Sequence, residues 1–191
     1  MRKIIVTEFI TLDGVVEAPG GDETDHPHGG WNAKLRHPES GQYKVEELTS
    51  VDALLMGRKT YDQFAGYWPH QSGGGFADRI NSLPKYIVSR SLNTTSWQNS
   101  QILREVATEV AALKHTSGGN ILVYGSATLA KSLLDYHLVD KLTLMVHPVS
   151  VGGGLKLFDD KRDLTNFRLI YSRVLDNSVI ILEYEPEYQP A

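Results

Sequence analysis

The sequence predicts an α/β domain on a largely parallel sheet, and three observations predict it. Short β-branched or leucine-rich runs recur along the chain, amphipathic helical patterns separate them, and the last two runs flank a tight-turn sequence. Runs buried on both faces of a parallel sheet read as continuous hydrocarbon rather than as alternation, and Ala53-Leu54-Leu55-Met56 and Ile121-Leu122-Val123 have that form.

The first strand is expected at residues 3–10, where Glu8 and Asp13 interrupt the apolar run too early for a secretory leader. Further strands are expected at 53–56, 85–89, 121–124 and 141–146, each too brief for a buried helix. Ile102, Val106, Val110 and Leu113 recur at helical spacing, which predicts one helix over 100–116 ended by Gly118-Gly119. A second helix is expected over 126–134, with shorter ones at 42–50, 59–64 and 76–81. Residues 167–175 and 179–184 form a predicted antiparallel hairpin around Asp176-Asn177-Ser178. Segments 17–30 and 67–75 are polar, rich in Gly and Pro and aperiodic, as loops over a site would be.

Composition narrows the function. The 191 residues are 41% apolar and 22% charged, an ordinary globular mixture, and no repeat or linker divides them, so one domain over 1–191 is expected. Nineteen Lys and Arg against 23 Asp and Glu give a net charge of −4, with the cations scattered, so a nucleic-acid partner is not expected. No window is apolar enough for a membrane span, and a cytoplasmic location is expected. Cysteine is absent, which removes disulfides, thiolate metal sites and thiol nucleophiles and leaves redox chemistry to a bound cofactor.

Two places share one design, an apolar strand running into glycine and then a helix. One is Met56-Gly57-Arg58-Lys59-Thr60, the other Tyr124-Gly125-Ser126-Ala127-Thr128. Glycine admits a ligand to the backbone, and the unpaired N–H groups and positive dipole of a helix start favour phosphate. Two such turns on the carboxyl edge of a parallel sheet suit a dinucleotide. Arg58 and Lys59 offer a seat for a third phosphate. No G-x-G-x-x-G follows the first strand, and Gly125 to Ser132 fails as a P-loop because Ala130 stands at the second glycine.

The T-L-D-G of residues 11–14, L-L-M-G-R-K-T-Y of 54–61, Y-I-V-S-R of 86–90 and V-Y-G-S-A-T-L of 123–129 occur in the order and spacing of dihydrofolate reductase-like proteins. The chain resembles most the branch containing the C-terminal reductase domain of bacterial riboflavin biosynthesis and stand-alone reductases. That resemblance implies a three-layer α/β fold with a mainly parallel sheet of about eight strands and a C-terminal antiparallel hairpin. It implies NADPH as cofactor, a small nitrogen heterocycle of pterin or aminopyrimidine type as substrate, and a homodimer. Gly57, Arg58, Lys59 and Thr60 would meet the adenosine-side phosphates, with Ser89 and Arg90 beside the adenine ribose. Gly125, Ser126, Ala127, Thr128 and Leu129 would hold the pyrophosphate. Leu12, Asp13, Gly14 and Val16 would lie near nicotinamide and substrate, and Gly152-Gly153-Gly154 matches a glycine-rich turn of this branch.

Hydride transfer to a C=N bond also needs a proton donor. True dihydrofolate reductases anchor the pterin with a carboxylate on the helix before the second strand. Glu39 is the nearest positional candidate and Asp13 the alternative; the bland readings are a helix-start cap and a turn aspartate. Trp31, Tyr67 and Trp68 could stack on a planar ring or simply anchor loops. Asp25-His26-Pro27-His28 is a poor metal set in a flexible loop, and no metal is expected. The rival to an enzyme is a nucleotide-binding sensor or interaction module that kept the turns and lost the chemistry.

Overall fold

The structure, a computed structural model, describes residues 1–21, 25–158 and 164–188. Eight strands form one sheet: β1 (Ile4–Thr11), β2 (Ala53–Gly57), β3 (Lys85–Val88), β4 (Ser100–Leu103), β5 (Ile121–Val123), β6 (Lys141–His147), β7 (Asn166–Val174) and β8 (Ile180–Glu187). Their spatial order is β4-β3-β2-β5-β1-β6-β8-β7. The first six in that order are parallel, β8 is antiparallel to β6, and β7 is antiparallel to β8.

Helices cover both faces. On one, α1 (Pro38–Thr49), α2 (Arg58–Tyr67) and α3 (Gly75–Ser82) bury Leu48, Tyr61 and Ile80 against Ile5, Leu54, Met56, Ile87 and Leu122. On the other, α4 (Ala111–Lys114) and α5 (Ala127–Asp135) bury Leu113, Leu129 and Leu133 against Ile4, Val6, Leu55, Ile121 and Val123. Alternate strand residues supply the two cores, so β2 and β5 are buried throughout, as continuous apolar runs require. Crossovers that travel toward β4 lie on one face and those that travel back lie on the other. The direction therefore reverses around β2, β5 and β1, and a crevice opens beyond their carboxyl ends.

The predicted helix over 100–116 is the main correction. Residues 100–103 are β4, paired with Lys85–Val88, and Ile102 and Leu103 face opposite cores. A π turn at Val106–Val110 follows, and α4 occupies only 111–114. Strand pairing along the open edge of β3 outweighs the apolar stripe, because a period of two accommodates Ile102 and Leu103 equally well. The helix over 42–50 begins earlier, at Pro38, whose missing N–H costs nothing in a first turn; the His37 ring accepts the Glu39 N–H. Segment 67–75 is partly ordered by a 3-10 turn at Trp68–His70. Of segment 17–30, residues 22–24 lie outside the described set. No helix among the described residues is long and apolar enough to cross a membrane.

The hairpin is tied to α1 by Glu39, whose carboxylate accepts from Arg173 at 2.6 Å and from the Asp176 N–H at 2.9 Å. Both bonds favour the ionised form and hold its pKa below the ordinary 4.5. Because the folded state depresses this pKa, the contribution to stability is present above pH 4.5 and is lost as pH falls through the lowered value. Glu39→Gln is expected to lower thermal stability at neutral pH and to flatten its decline below pH 4.5, measured by circular dichroism melts across that range.

Candidate active site

The two glycine turns meet. β2 and β5 are adjacent and in register, Leu55 opposite Val123, so the residues that follow each strand emerge side by side. The Gly57 N–H donates to the Gly125 carbonyl at 3.1 Å. A Cβ on Gly57 would lie 2.5 Å from Ser126 Oγ and 3.3 Å from both Ser126 Cβ and N, so a side chain there would turn the Ser126 hydroxyl aside and crowd its backbone. Gly125 has φ of +75°, a conformation that side chains rarely adopt, and the Gly125–Ser126 peptide is cis. Helices α2 and α5 start at these turns with no side chain capping their first N–H groups. Two uncapped helix starts side by side present free N–H groups of the kind a pyrophosphate can accept.

A cavity of about 240 Å³ lies against this junction, with Lys59 and Thr60 of α2, Gly125, Ser126 and Ala127 on one side and Thr7, Glu8 and Phe9 of β1 on the other. Val16 and the segment behind it close one end. It continues into a wider pocket of about 570 Å³ walled by Phe9, Phe64, Trp68, Phe76 and Tyr124 and edged by Arg36 and His37. Lys44 of α1 reaches both, donating to Thr7 Oγ1 at 2.9 Å, pairing with Glu47, and sitting 4.9 Å from the Tyr124 ring centre and 5.3 Å from that of Phe9. Aromatic walls with one ammonium fit a planar, electron-rich ring carrying hydrogen-bond acceptors.

Not every predicted residue joins this cavity. Arg58 flanks the first turn, exposed and bonded to Asp62 at 2.6 Å. Thr128 is exposed on the first turn of α5, while the Leu129 side chain is in the core, so Leu129 can offer a ligand only its backbone. Ser89 uses its hydroxyl to accept the N–H groups of Ser91 and Leu92, and Arg90 is exposed and paired with Glu105. Both lie past the end of β3, outside the cavity lining. Leu12 is exposed, with its N–H bonded to Val149.

Trp31 is a correction: it is buried, donates to the Glu17 carbonyl and packs edge-on to His147, so it anchors a loop and cannot stack on a ligand. Neither predicted acid is placed to give up a proton. Asp13 accepts from Thr11 Oγ1 at 2.6 Å and from the N–H groups of Val151 and Gly152, which hold its pKa well below the usual carboxylate range. Its function is to fix the glycine-rich turn, where Gly152 and Gly154 take positive φ. Glu39 is committed to the hairpin, away from the cavity. Among the described residues no three His, Asp or Glu converge as a metal site would require, and His26 Nε2 lies 2.6 Å from the Gly153 carbonyl.

Glu8 is the residue that motif reading passes over. Its position in β1 points toward α5, in the row of Ile4, Val6 and Ile10, yet it lines the cavity. Its Oε1 is shielded from solvent and has no hydrogen-bond partner, and burial pushes the carboxyl up to about 8 against the pull of Lys44.

Comparison with known proteins agrees with this geometry. An uncharacterized protein of Bacillus subtilis (strain 168), YyaP, is 30% identical over 187 residues, 96% of this chain and 94% of its own. A Shewanella sp. PV-4 protein provisionally named for riboflavin biosynthesis superimposes with a TM-score of 0.75 at 19% identity, over 97% of this chain and 99% of its own. A Thermotoga maritima diaminohydroxyphosphoribosylaminopyrimidine deaminase/5-amino-6-(5-phosphoribosylamino)uracil reductase gives 0.66 at 15% identity, over 97% of this chain and 56% of its own. Residues 2–181 match the RibD C-terminal domain, and the chain belongs to that family.

Proposed function

We propose that the protein is an NADPH-dependent reductase that delivers hydride to a small nitrogen heterocycle of pyrimidine type. The observation that carries this reading is the junction of the two glycine turns, where uncapped starts of α2 and α5 lie side by side against a cavity. Those residues fit a dinucleotide: the α5 start would hold the pyrophosphate, and the α2 start with Arg58 and Lys59 the adenosine-side phosphate. Bound there, NADPH supplies the hydride.

The chain's own contribution is placement and exclusion of water. Phe9, Phe64, Trp68 and Tyr124 would stack the acceptor ring beside the cavity, and Lys44 would bond a ring oxygen. A cation at this point disfavours a protonated pterin. Relatives named for riboflavin biosynthesis and for a uracil reductase support a pyrimidine. The misplacement of Asp13 and Glu39 favours a second reading, a binding module without chemistry. NADPH oxidation across a panel of oxopyrimidines distinguishes the two.

A homodimer is part of the proposal. Strand β7 is a sheet edge that exposes Leu169, Ile170, Tyr171 and Val174, an apolar surface that a second copy would cover. Sedimentation velocity is expected to give a dimer, and Ile170→Lys with Val174→Glu is expected to give a monomer.

For the cofactor, fluorescence titration is expected to show NADPH bound more tightly than NADH. Arg58→Ala is expected to weaken NADPH and leave NADH nearly unchanged. Gly57→Ala is expected to weaken both by several-fold, because the added methyl turns the Ser126 hydroxyl aside and presses on the Ser126 backbone N at the start of α5. Equal losses for NADPH and NADH in the Arg58 variant would remove the third-phosphate assignment.

A further inference from the structure

Strand β1 places a single carboxyl in a row of hydrocarbon. Ile4, Val6 and Ile10 enter the core beside α5, and Glu8 takes the place between Val6 and Ile10 on the same face. An aliphatic residue would pack there without desolvating a polar group, so folding with Glu8 carries a cost that no hydrogen bond to Oε1 offsets. Unpartnered buried groups of this kind concentrate where a ligand completes them.

Its position is specific. β1 pairs with β5 only as far as Val6 opposite Val123 and then continues beside β6 to Thr11. Glu8 stands just past that parting, against the second glycine turn: a Cβ on Gly125 would lie 3.6 Å from Glu8 Oε1 and 3.4 Å from Thr60 Oγ1. The carboxyl thus lies beside the glycine junction, in the cavity that Phe9, Phe64 and Tyr124 also line. The charged and titratable groups lining the same cavity are Lys44 from α1, Lys59 from α2, Tyr124 after β5 and Glu17 after β1. Lys44 is paired with Glu47, and burial outweighs its pull on Glu8.

We propose that Glu8 is the catalytic acid that protonates the substrate nitrogen. This rests on the reductase reading above. As hydride forms the new C–H bond, the π pair of the C=N bond passes to nitrogen and takes the Glu8 proton; the O–H bond breaks and an N–H bond forms. The substrate gains two electrons, the dinucleotide loses them, and the Glu8 carboxylate recovers its proton from water. At neutral pH the buried carboxyl is in the protonated form that this step needs.

With the dinucleotide held in this cavity, the carboxylate so formed would lie near its oxidised form, whose nicotinamide ring is positive. Ionised Glu8 therefore favours NADP⁺ over NADPH, and NADP⁺ binding expels a proton that NADPH binding does not. The test is the ratio of NADP⁺ to NADPH affinity from pH 6 to 9, by isothermal titration calorimetry, for wild type and Glu8→Gln. The ratio cancels the titration of the 2′-phosphate common to both nucleotides. In wild type it is expected to rise by up to about tenfold per pH unit toward pH 8 and then to level. In Glu8→Gln it is expected to be flat. Identical curves for the two proteins overturn the assignment of Glu8 while leaving the cofactor site intact. Carboxyl ¹³C NMR of wild-type protein gives an independent check should the variant misfold: a Glu resonance titrating near 8 that NADP⁺ moves downward supports the proposal, and its absence overturns it. Failure of the reductase reading itself has a different signature, folded wild-type protein that binds neither nucleotide.

Discussion

The site depends on one close approach, between Gly57 at the end of β2 and Ser126 at the start of α5. Parallel strands in register end at the same level, so two chain segments nearly 70 residues apart leave the sheet shoulder to shoulder. A side chain at 57 would turn the Ser126 hydroxyl aside at 2.5 Å and press on the Ser126 backbone N at 3.3 Å. The Gly57–Gly125 hydrogen bond fixes the separation. What results is a surface of unpaired N–H groups from two helices, held by the sheet and needing no side chain to attract an anion. The inserted position of β5 between β2 and β1 creates the junction, and it also creates the crevice, since β5 stops while β1 continues.

Burial then sets the chemistry of what lines the crevice. Glu47, Thr7 and two aromatic faces surround the Lys44 ammonium in place of part of its water. Glu8, one strand position away from Thr7, has no such set of donors and is driven toward its neutral form. Asp13 lies at the other extreme, with several donors aimed at its oxygens, and is held ionised. Hydrogen-bond donors and solvent access, rather than residue type, separate the three roles.

The order and direction of the strands were largely legible because β2 and β5 are uninterrupted apolar runs, and the turns after them were legible because glycine occupies the one position where the backbone must come close. The edge strand β4 was not, since Ile102 and Leu103 satisfy a helical stripe and a two-residue alternation alike, and only the partner β3 decides between them. The roles of the carboxylates stayed open for a different reason. Whether an acid is free to donate a proton depends on groups distant in sequence: Asp13 meets Val151 and Gly152, and Glu39 meets Arg173 and Asp176, each more than 130 residues away. Trp31 was ambiguous because its anchors, Glu17 and His147, come together only in the fold. Glu8 did leave a trace, a charge interrupting Ile4, Val6 and Ile10, but alternation alone does not say that both faces of β1 are covered at that point.

The same distinction between fold and site bears on substrate. In true dihydrofolate reductases the helix before the second strand offers a carboxylate, which pairs with a ring that presents N–H donors. Here α1 has Glu39 at its first turn, engaged with the hairpin, and presents Lys44, five residues on, to the crevice. Exchanging an anion for a cation reverses the preferred edge of the ring: donors facing Lys44 would be repelled, and carbonyl oxygens would be held. The aromatic walls are indifferent to that choice, since any planar ring stacks on Phe9 and Tyr124. On the proposed reading, discrimination between an amino-rich and an oxo-rich heterocycle would rest on the Lys44 ammonium, held between Thr7, Glu47 and the Tyr124 ring.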